Sequence, residues 1–307
     1  MQTILGASGT VGTELAKALP KYTDKVRIVS RNPKKANPTD ELLAADLTKA
    51  EEIDKAVEGS EVVYVTIAFE YKASVWQKNW IPFIKNTIDA CKKHNAKLVF
   101  FDNVYMYDQS EIPHMTEESK INPSSKKGKV RAEIVELIMN EVKVGKLTAL
   151  IARSADFYGP NSQNSMFFLG VTNLKNGKPF DWLASTDKIH NFTYTPDAGR
   201  ATALLGNTPD AYNQVWHLPS VQSKLMGKQW IQLIADEMDI EPKTRVMPIW
   251  MMGILGIFMP ILSELKEMAY QFSSDYFFDS SKFNKRFPDF RTTSIEEGIR
   301  ETVDSVK

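Results

Sequence analysis

Cysteine is nearly absent from this chain: Cys91 is the single one in 307 residues. One thiol cannot build an internal disulfide framework, so a reducing compartment is expected, the cytoplasm by default. A surplus of either charge is missing too, since Lys plus Arg and Asp plus Glu each total 38. No global field steers the chain toward nucleic acid or an anionic membrane, and neither is expected as a partner. Histidine is scarce, and His94, His114, His190 and His217 show no metal-like spacing with one another or with Cys91. No metal is expected. Long apolar runs are lacking as well. The uncharged stretch from Val246 to Ser263 is cut by Pro248 and Pro260. The helix left between them is too short to span a bilayer, so a buried or interface helix is expected there. No charged leader precedes an apolar segment, so no signal peptide is expected.

What the sequence does contain is an opening signature. Thr3-Ile4-Leu5 is a short apolar strand, and Gly6, Gly9 and Gly12 follow at every third position before an apolar-periodic helix. The first glycine allows a tight reversal, the second lets backbone approach a diphosphate, and the third lets helix pack close on strand. The free N–H groups of Ser8, Gly9, Thr10 and Val11 then face the phosphates at the positive end of the helix dipole. The spacing differs by one residue from the commonest dinucleotide fingerprint, and the Gly-Lys-Ser/Thr ending of a P-loop is absent. Past the glycines, Val26–Ser30 reads as a second strand whose tip carries Ser30 and Arg31 and no acid. Hydroxyl and guanidinium suit a 2′-phosphate that an aspartate would repel, so NADP is expected, with NAD as the alternative.

Further strands are expected within Glu41–Leu47, at Val62–Ala68, at Lys97–Phe101 and at Leu147–Ala152, with a helix from about Ser74 to His94 bent or restarted at Pro82. Strands alternating with helices predict an α/β fold with a Rossmann doubly wound parallel sheet. Residues 1–160 are expected to form the NAD(P)-binding domain. Residues 161–307 are expected to form a smaller mixed α/β substrate lobe, with part of 190–220 returning to the sheet. Asp46, Leu47, Thr66, Ile67, Ala68, Asn103 and Tyr105 fall at or just past strand ends, which makes them cofactor or substrate candidates. Lys126 and Lys127 read as a solvated helix face. The helices near Glu264–Phe272 and Ser294–Val306 offer surfaces on which a homodimer could form.

Gly6-x-x-Gly9-x-x-Gly12, Asp46-Leu47, Asn86-Thr87, Tyr107, the segment from Arg153 to Pro160 and Phe192-Thr193-Tyr194-Thr195-Pro196-Asp197 occur together and in order. In this the chain resembles the short-chain dehydrogenase/reductase superfamily, in its extended NAD(P)-dependent epimerase/dehydratase-like branch. The resemblance implies cofactor contacts from Ala155 and Phe157 and a substrate pocket lined by the segment of His190 and Tyr194. Independently of it, the aromatic rings of Tyr71 and Phe167 are candidates to wall an apolar substrate pocket, with burial in the core as the alternative. The resemblance also implies a Tyr-x-x-x-Lys pair, in which Lys⁺ lowers the tyrosine pKa and tyrosine moves the proton. Counting from Glu133 and Tyr107 puts Lys129 at the lysine, Ser125 at the tyrosine and Asn103 at the preceding serine. An alkyl hydroxyl is a far weaker acid than a phenol. The catalytic candidates are therefore Lys129, which also serves the cofactor ribose, with Tyr105, Tyr107, Asn103 and Ser125. The expected function is an NAD(P)-dependent oxidoreductase or epimerase/dehydratase-like enzyme acting on a small carbonyl, hydroxyl or nucleotide-sugar substrate. The alternative is a non-catalytic, redox-responsive NADP-binding regulator.

Overall fold

The structure is a computed structural model and describes residues 1–306. In chain order it contains β1 (Gln2–Leu5), α1 (Thr10–Ala18), β2 (Val26–Ser30), β3 (Glu41–Ala44), α2 (Ala50–Val57), β4 (Val62–Val65) and α3 (Ala73–His94). Then come β5 (Lys97–Asp102), α4 (Lys126–Lys143), β6 (Ala149–Arg153), β7 (Asp156–Tyr158), α5 (Met166–Lys175), β8 (Phe180–Leu183) and β9 (Phe192–Tyr194). The remaining elements are α6 (Thr195–Gly206), β10 (Val215–His217), α7 (Gly227–Glu237), β11 (Thr244–Met247), α8 (Ile249–Leu255), α9 (Pro260–Lys266), α10 (Ser281–Arg286) and α11 (Ile295–Ser305). They fall into two compact units.

The first unit comprises Met1–Met106, Lys126–Ser154 and Ala198–Leu218. Its sheet has the order β10-β6-β5-β4-β1-β2-β3, with every neighbouring pair parallel. This is the doubly wound α/β sheet that the strand–helix rhythm predicts. β1, β4 and β6 are buried along their whole length, which explains why those segments lack polar alternation. The edge strand β3 is mostly exposed. Strand order reverses between β1 and β4, and such a switch point opens a crevice beyond the carboxyl ends of the strands. α3 runs as one helix through Pro82 rather than restarting there. It ends at Asn95, whose left-handed backbone (φ +54°) caps the last turn.

The second unit holds Tyr107–Ser125, Ala155–Asp197 and the chain from Pro219 onward. It contains two short parallel pairs, β7 with β9 and β8 with β11. Its core is aromatic: Tyr158, Phe167, Phe180, Trp182, Phe192 and Trp230 are all buried and meet edge-on or tilted, the geometry ring quadrupoles favour. The uncharged stretch divides into α8 and α9, with Pro248 before the first and Pro260 at the start of the second. No helix among the described residues is long and apolar enough to cross a membrane.

Candidate functional site

At the switch point the chain leaves β1 through Gly6, whose backbone is left-handed (φ +95°). A Cβ there would come within 2.3 Å of the Ile67 Cα. A Cβ on Gly12 would stand 2.6 Å from the Ala7 Cα and 2.8 Å from the Thr66 Oγ1. Both positions are closed to any side chain. Gly9 differs: it is exposed and extended (φ −83°, ψ 165°), and the nearest atom to an added Cβ is the Gly6 carbonyl at 3.8 Å. Gly9 is also the N-cap of α1, and no side chain caps that helix start. A turn closed on its inner side and open on its outer side, with uncapped helix amides, is a cradle for an anionic group. Ser8 and Thr10 lie at its open rim, whereas Val11 packs inward.

The tip of β2 adds a second polar feature. Ser30 is buried, and its Oγ has no hydrogen-bond partner among the described residues. Arg31 next to it is exposed. Asp46 is half-buried and accepts from the Thr48 hydroxyl (2.8 Å) and amide (3.1 Å). Those two bonds, the hydroxyl first, hold its carboxyl below the ordinary aspartate value. Leu47 beside it is buried. Thr66 and Ile67 are half-buried against the glycine turn, and Ala68 is exposed.

Past β5 the Asn103 side chain accepts from the Tyr105 amide at 3.1 Å, fixing that turn. The Tyr105 ring stacks on Trp76 of α3 (centroids 6.2 Å apart, planes at 19°). Trp76 also meets Tyr71 edge-on and carries the Arg131 guanidinium 4.8 Å from its ring centre. Arg131 lies 4.2 Å over Trp80 as well and reaches toward Asp102, 3.6 Å away. Arg153 approaches the same carboxylate at 3.3 Å. Burial pushes the Asp102 carboxyl up, against the downward pull of the two guanidiniums.

α4 corrects the reading of Lys127. Expected on a solvated face, it is fully buried with its Nζ 4.5 Å from the centre of the Tyr71 ring, while Lys126 and Lys129 are exposed. The helical period carries the signal. Lys127 and Arg131 fall in phase with the buried Val130, Ile134, Val135 and Ile138, and Lys129 falls out of phase.

The remaining candidates lie in the second unit. Tyr107 is fully buried, Ser125 is buried just ahead of α4, and Phe167 is part of the aromatic core. Ala155 donates its amide to the Thr193 Oγ1 at 3.2 Å, and Phe157 is half-buried on β7. His190 is sandwiched between Phe272 (4.4 Å, 11°) and Tyr276 (4.3 Å, 10°), with its Nε2 2.9 Å from Asp156. Tyr194 donates to Glu301; burial first, then that carboxylate, raise its phenol above the ordinary tyrosine value. His190, Tyr194 and Phe167 are all buried.

The sequence profile of the NAD dependent epimerase/dehydratase family matches residues 3–217, well over half of the chain. The chain belongs to that family. No curated relative matches the sequence. Among solved structures, the UDP-glucuronic acid 4-epimerase from Bacillus cereus, in complex with UDP-glucuronic acid and NAD, aligns over 100% of this chain and 99% of its own at 17% identity and a TM-score of 0.81. The dTDP-glucose 4,6-dehydratase from Streptomyces venezuelae, with NAD and TYD bound, aligns over 99% and 96% at 16% identity and a TM-score of 0.79. The UDP-N-acetylglucosamine 4-epimerase from Methanobrevibacter ruminantium M1 aligns over 99% and 97% at 17% identity and a TM-score of 0.80. At such identities the likeness establishes the fold.

Proposed function

We propose that this family member is an NADP-dependent oxidoreductase or epimerase/dehydratase-like enzyme acting on a small carbonyl or hydroxyl compound, with nucleotide sugars the leading class. The observation that carries the reading is the Gly6–Gly12 turn, closed inside and open outside at an uncapped helix start. The α1 amides and dipole receive the diphosphate. The unsatisfied Ser30 hydroxyl and the exposed Arg31 favour the 2′-phosphate of NADP over the bare ribose of NAD. Asp46 and Leu47 border the adenine side, and Thr66, Ile67 and Ala68 line the way to the nicotinamide. Structural neighbours bound to NAD, one of them also to UDP-glucuronic acid, support a nicotinamide dinucleotide and a nucleotide-sugar substrate; the preference for NADP rests on Ser30 and Arg31 alone. A single buried thiol supports a reducing, cytoplasmic setting.

When bound, the nicotinamide accepts or returns a hydride at a substrate carbon. The chain's own work is to orient the two partners and to handle a proton at the substrate oxygen. Serine at position 125 favours a second reading, a redox-responsive NADP-binding regulator without turnover. Consumption of NADPH by the purified chain over a panel of aldehydes, ketones and nucleotide ketosugars separates the two. Turnover with any member supports the enzyme; tight NADPH binding without turnover supports the regulator.

A further inference from the structure

Ser125 leaves a proton unaccounted for, yet α4 buries an ammonium next to a phenol. Lys127 is fully buried in the first turn of α4, where both desolvation and the helix dipole oppose a positive charge. The face of the Tyr71 ring, 4.5 Å away, is part of what compensates it. Tyr71 itself is half-buried, so part of it stays accessible. It lies on the loop between β4 and α3, and the start of that loop, Thr66 and Ile67, packs on Gly12 and Gly6. The same loop thus touches the dinucleotide turn at one end and carries this phenol toward the other. Trp76 sets the ring's orientation, with centroids 5.9 Å apart and planes at 84°. The charged and titratable groups near the pair include Arg131 one turn along α4, Tyr105 stacked on Trp76, and Asp102 beside Arg131.

We propose that Tyr71 is the proton-transferring residue of the enzyme, with Lys127 as its positioning residue. Together they restore across two elements the phenol–ammonium couple that Tyr-x-x-x-Lys supplies on one helix. The inference rests on the oxidoreductase reading above. In the reductive direction the Tyr71 O–H bond breaks and its proton passes to the substrate's carbonyl oxygen as hydride reaches the adjacent carbon. The carbonyl becomes a hydroxyl, and the Tyr71 phenolate faces the Lys127 ammonium until water returns the proton. Oxidation runs through the same groups in reverse. An opposite charge at this range favours the phenolate and so makes the phenol a stronger acid.

The test uses the full chain with Tyr71→Phe and Lys127→Gln. Tyr71→Phe is expected to lower kcat by about 10²- to 10⁴-fold, the usual worth of a positioned acid, with NADPH affinity unchanged. Lys127→Gln is expected to move the alkaline limb of the pH–rate profile upward by about one unit or more, a shift that a purely structural role does not produce. A readout without cofactor is the ultraviolet titration of tyrosinate in the free protein. Burial raises the phenols of Tyr22, Tyr64, Tyr158, Tyr194 and Tyr212, so an early-ionising tyrosine stands clear of them. That early transition should vanish in Tyr71→Phe and move to higher pH in Lys127→Gln. Wild-type kcat in Tyr71→Phe, or an early transition that survives it, overturns the inference and leaves the oxidoreductase reading standing. A wild-type chain that binds no NADPH, or binds it without turnover, overturns that reading itself and the inference with it.

Discussion

The three glycines of the opening turn should respond to alanine in three different ways. At Gly6 the added Cβ meets the Ile67 backbone at 2.3 Å with the chain already at φ +95°. Left-handed strain of roughly 1–2 kcal/mol and overpacking of roughly 1–3 kcal/mol then add to about 2–5 kcal/mol of lost stability. At about 2–4 °C of Tm per kcal/mol, thermal denaturation resolves that easily. At Gly12 the Cβ strikes the Ala7 Cα at 2.6 Å, and the overpacking is offset by about 1 kcal/mol of helix propensity, so the loss is smaller. Gly9→Ala is the decisive case. Its Cβ meets nothing closer than 3.8 Å in an extended conformation that alanine adopts freely. A weaker N-cap, costing up to about 1 kcal/mol, is balanced by about 0.4–1 kcal/mol of entropy removed from the unfolded chain. Stability should therefore hardly move. In the proposed binding mode the new methyl nevertheless stands where the diphosphate approaches the backbone. A clash of roughly 1–3 kcal/mol weakens NADPH binding by about 10- to 100-fold, which calorimetric titration reads directly. Gly9→Ala with wild-type Tm and wild-type NADPH affinity would refute the reasoning, because the open side of the turn would then not be the binding side.

Arg31→Asp should weaken NADPH by roughly 10- to 100-fold through loss of a charge-assisted contact of about 1.5–3 kcal/mol while leaving NADH binding intact, as paired titrations would show. Burial pushes the Cys91 thiol up to about 12, so it should resist thiol reagents at neutral pH until its unit opens. Because the folded value lies above the unfolded one, Cys91's contribution to stability is complete below the unfolded pKa and fades as pH climbs toward about 12; denaturation across the alkaline range checks that sign. Trp230→Ala should cost about 3–5 kcal/mol, since the buried ring packs on Tyr158, Phe167 and Phe192 and its Nε1 donates to the His190 carbonyl at 2.8 Å.

The parallel sheet was legible because strands buried on both faces write continuous apolar runs, as Val62–Val65 and Ala149–Arg153 do. The glycine turn was legible because only glycine fits two of its three positions. Lys127 was hidden among the charges between 126 and 131, which read as a solvated face, whereas the phase of Val130, Ile134, Val135 and Ile138 places Lys127 and Arg131 on the inner face. Pro82 misled in a different way, since proline normally interrupts a helix interior and α3 continues past it. The sandwich of His190 between Phe272 and Tyr276 had no local signal at all. Its partners come from far along the chain, and pairings at that range leave no periodicity to read.

The central claim is that a dinucleotide diphosphate rests on the start of α1, with the 2′-phosphate held at Ser30 and Arg31. Calorimetric titration of the purified chain with NADPH and with NADH tests it most directly. Saturable one-to-one binding, tighter for NADPH than for NADH and weakened by Gly9→Ala, is the predicted result. Binding of neither dinucleotide would contradict the claim.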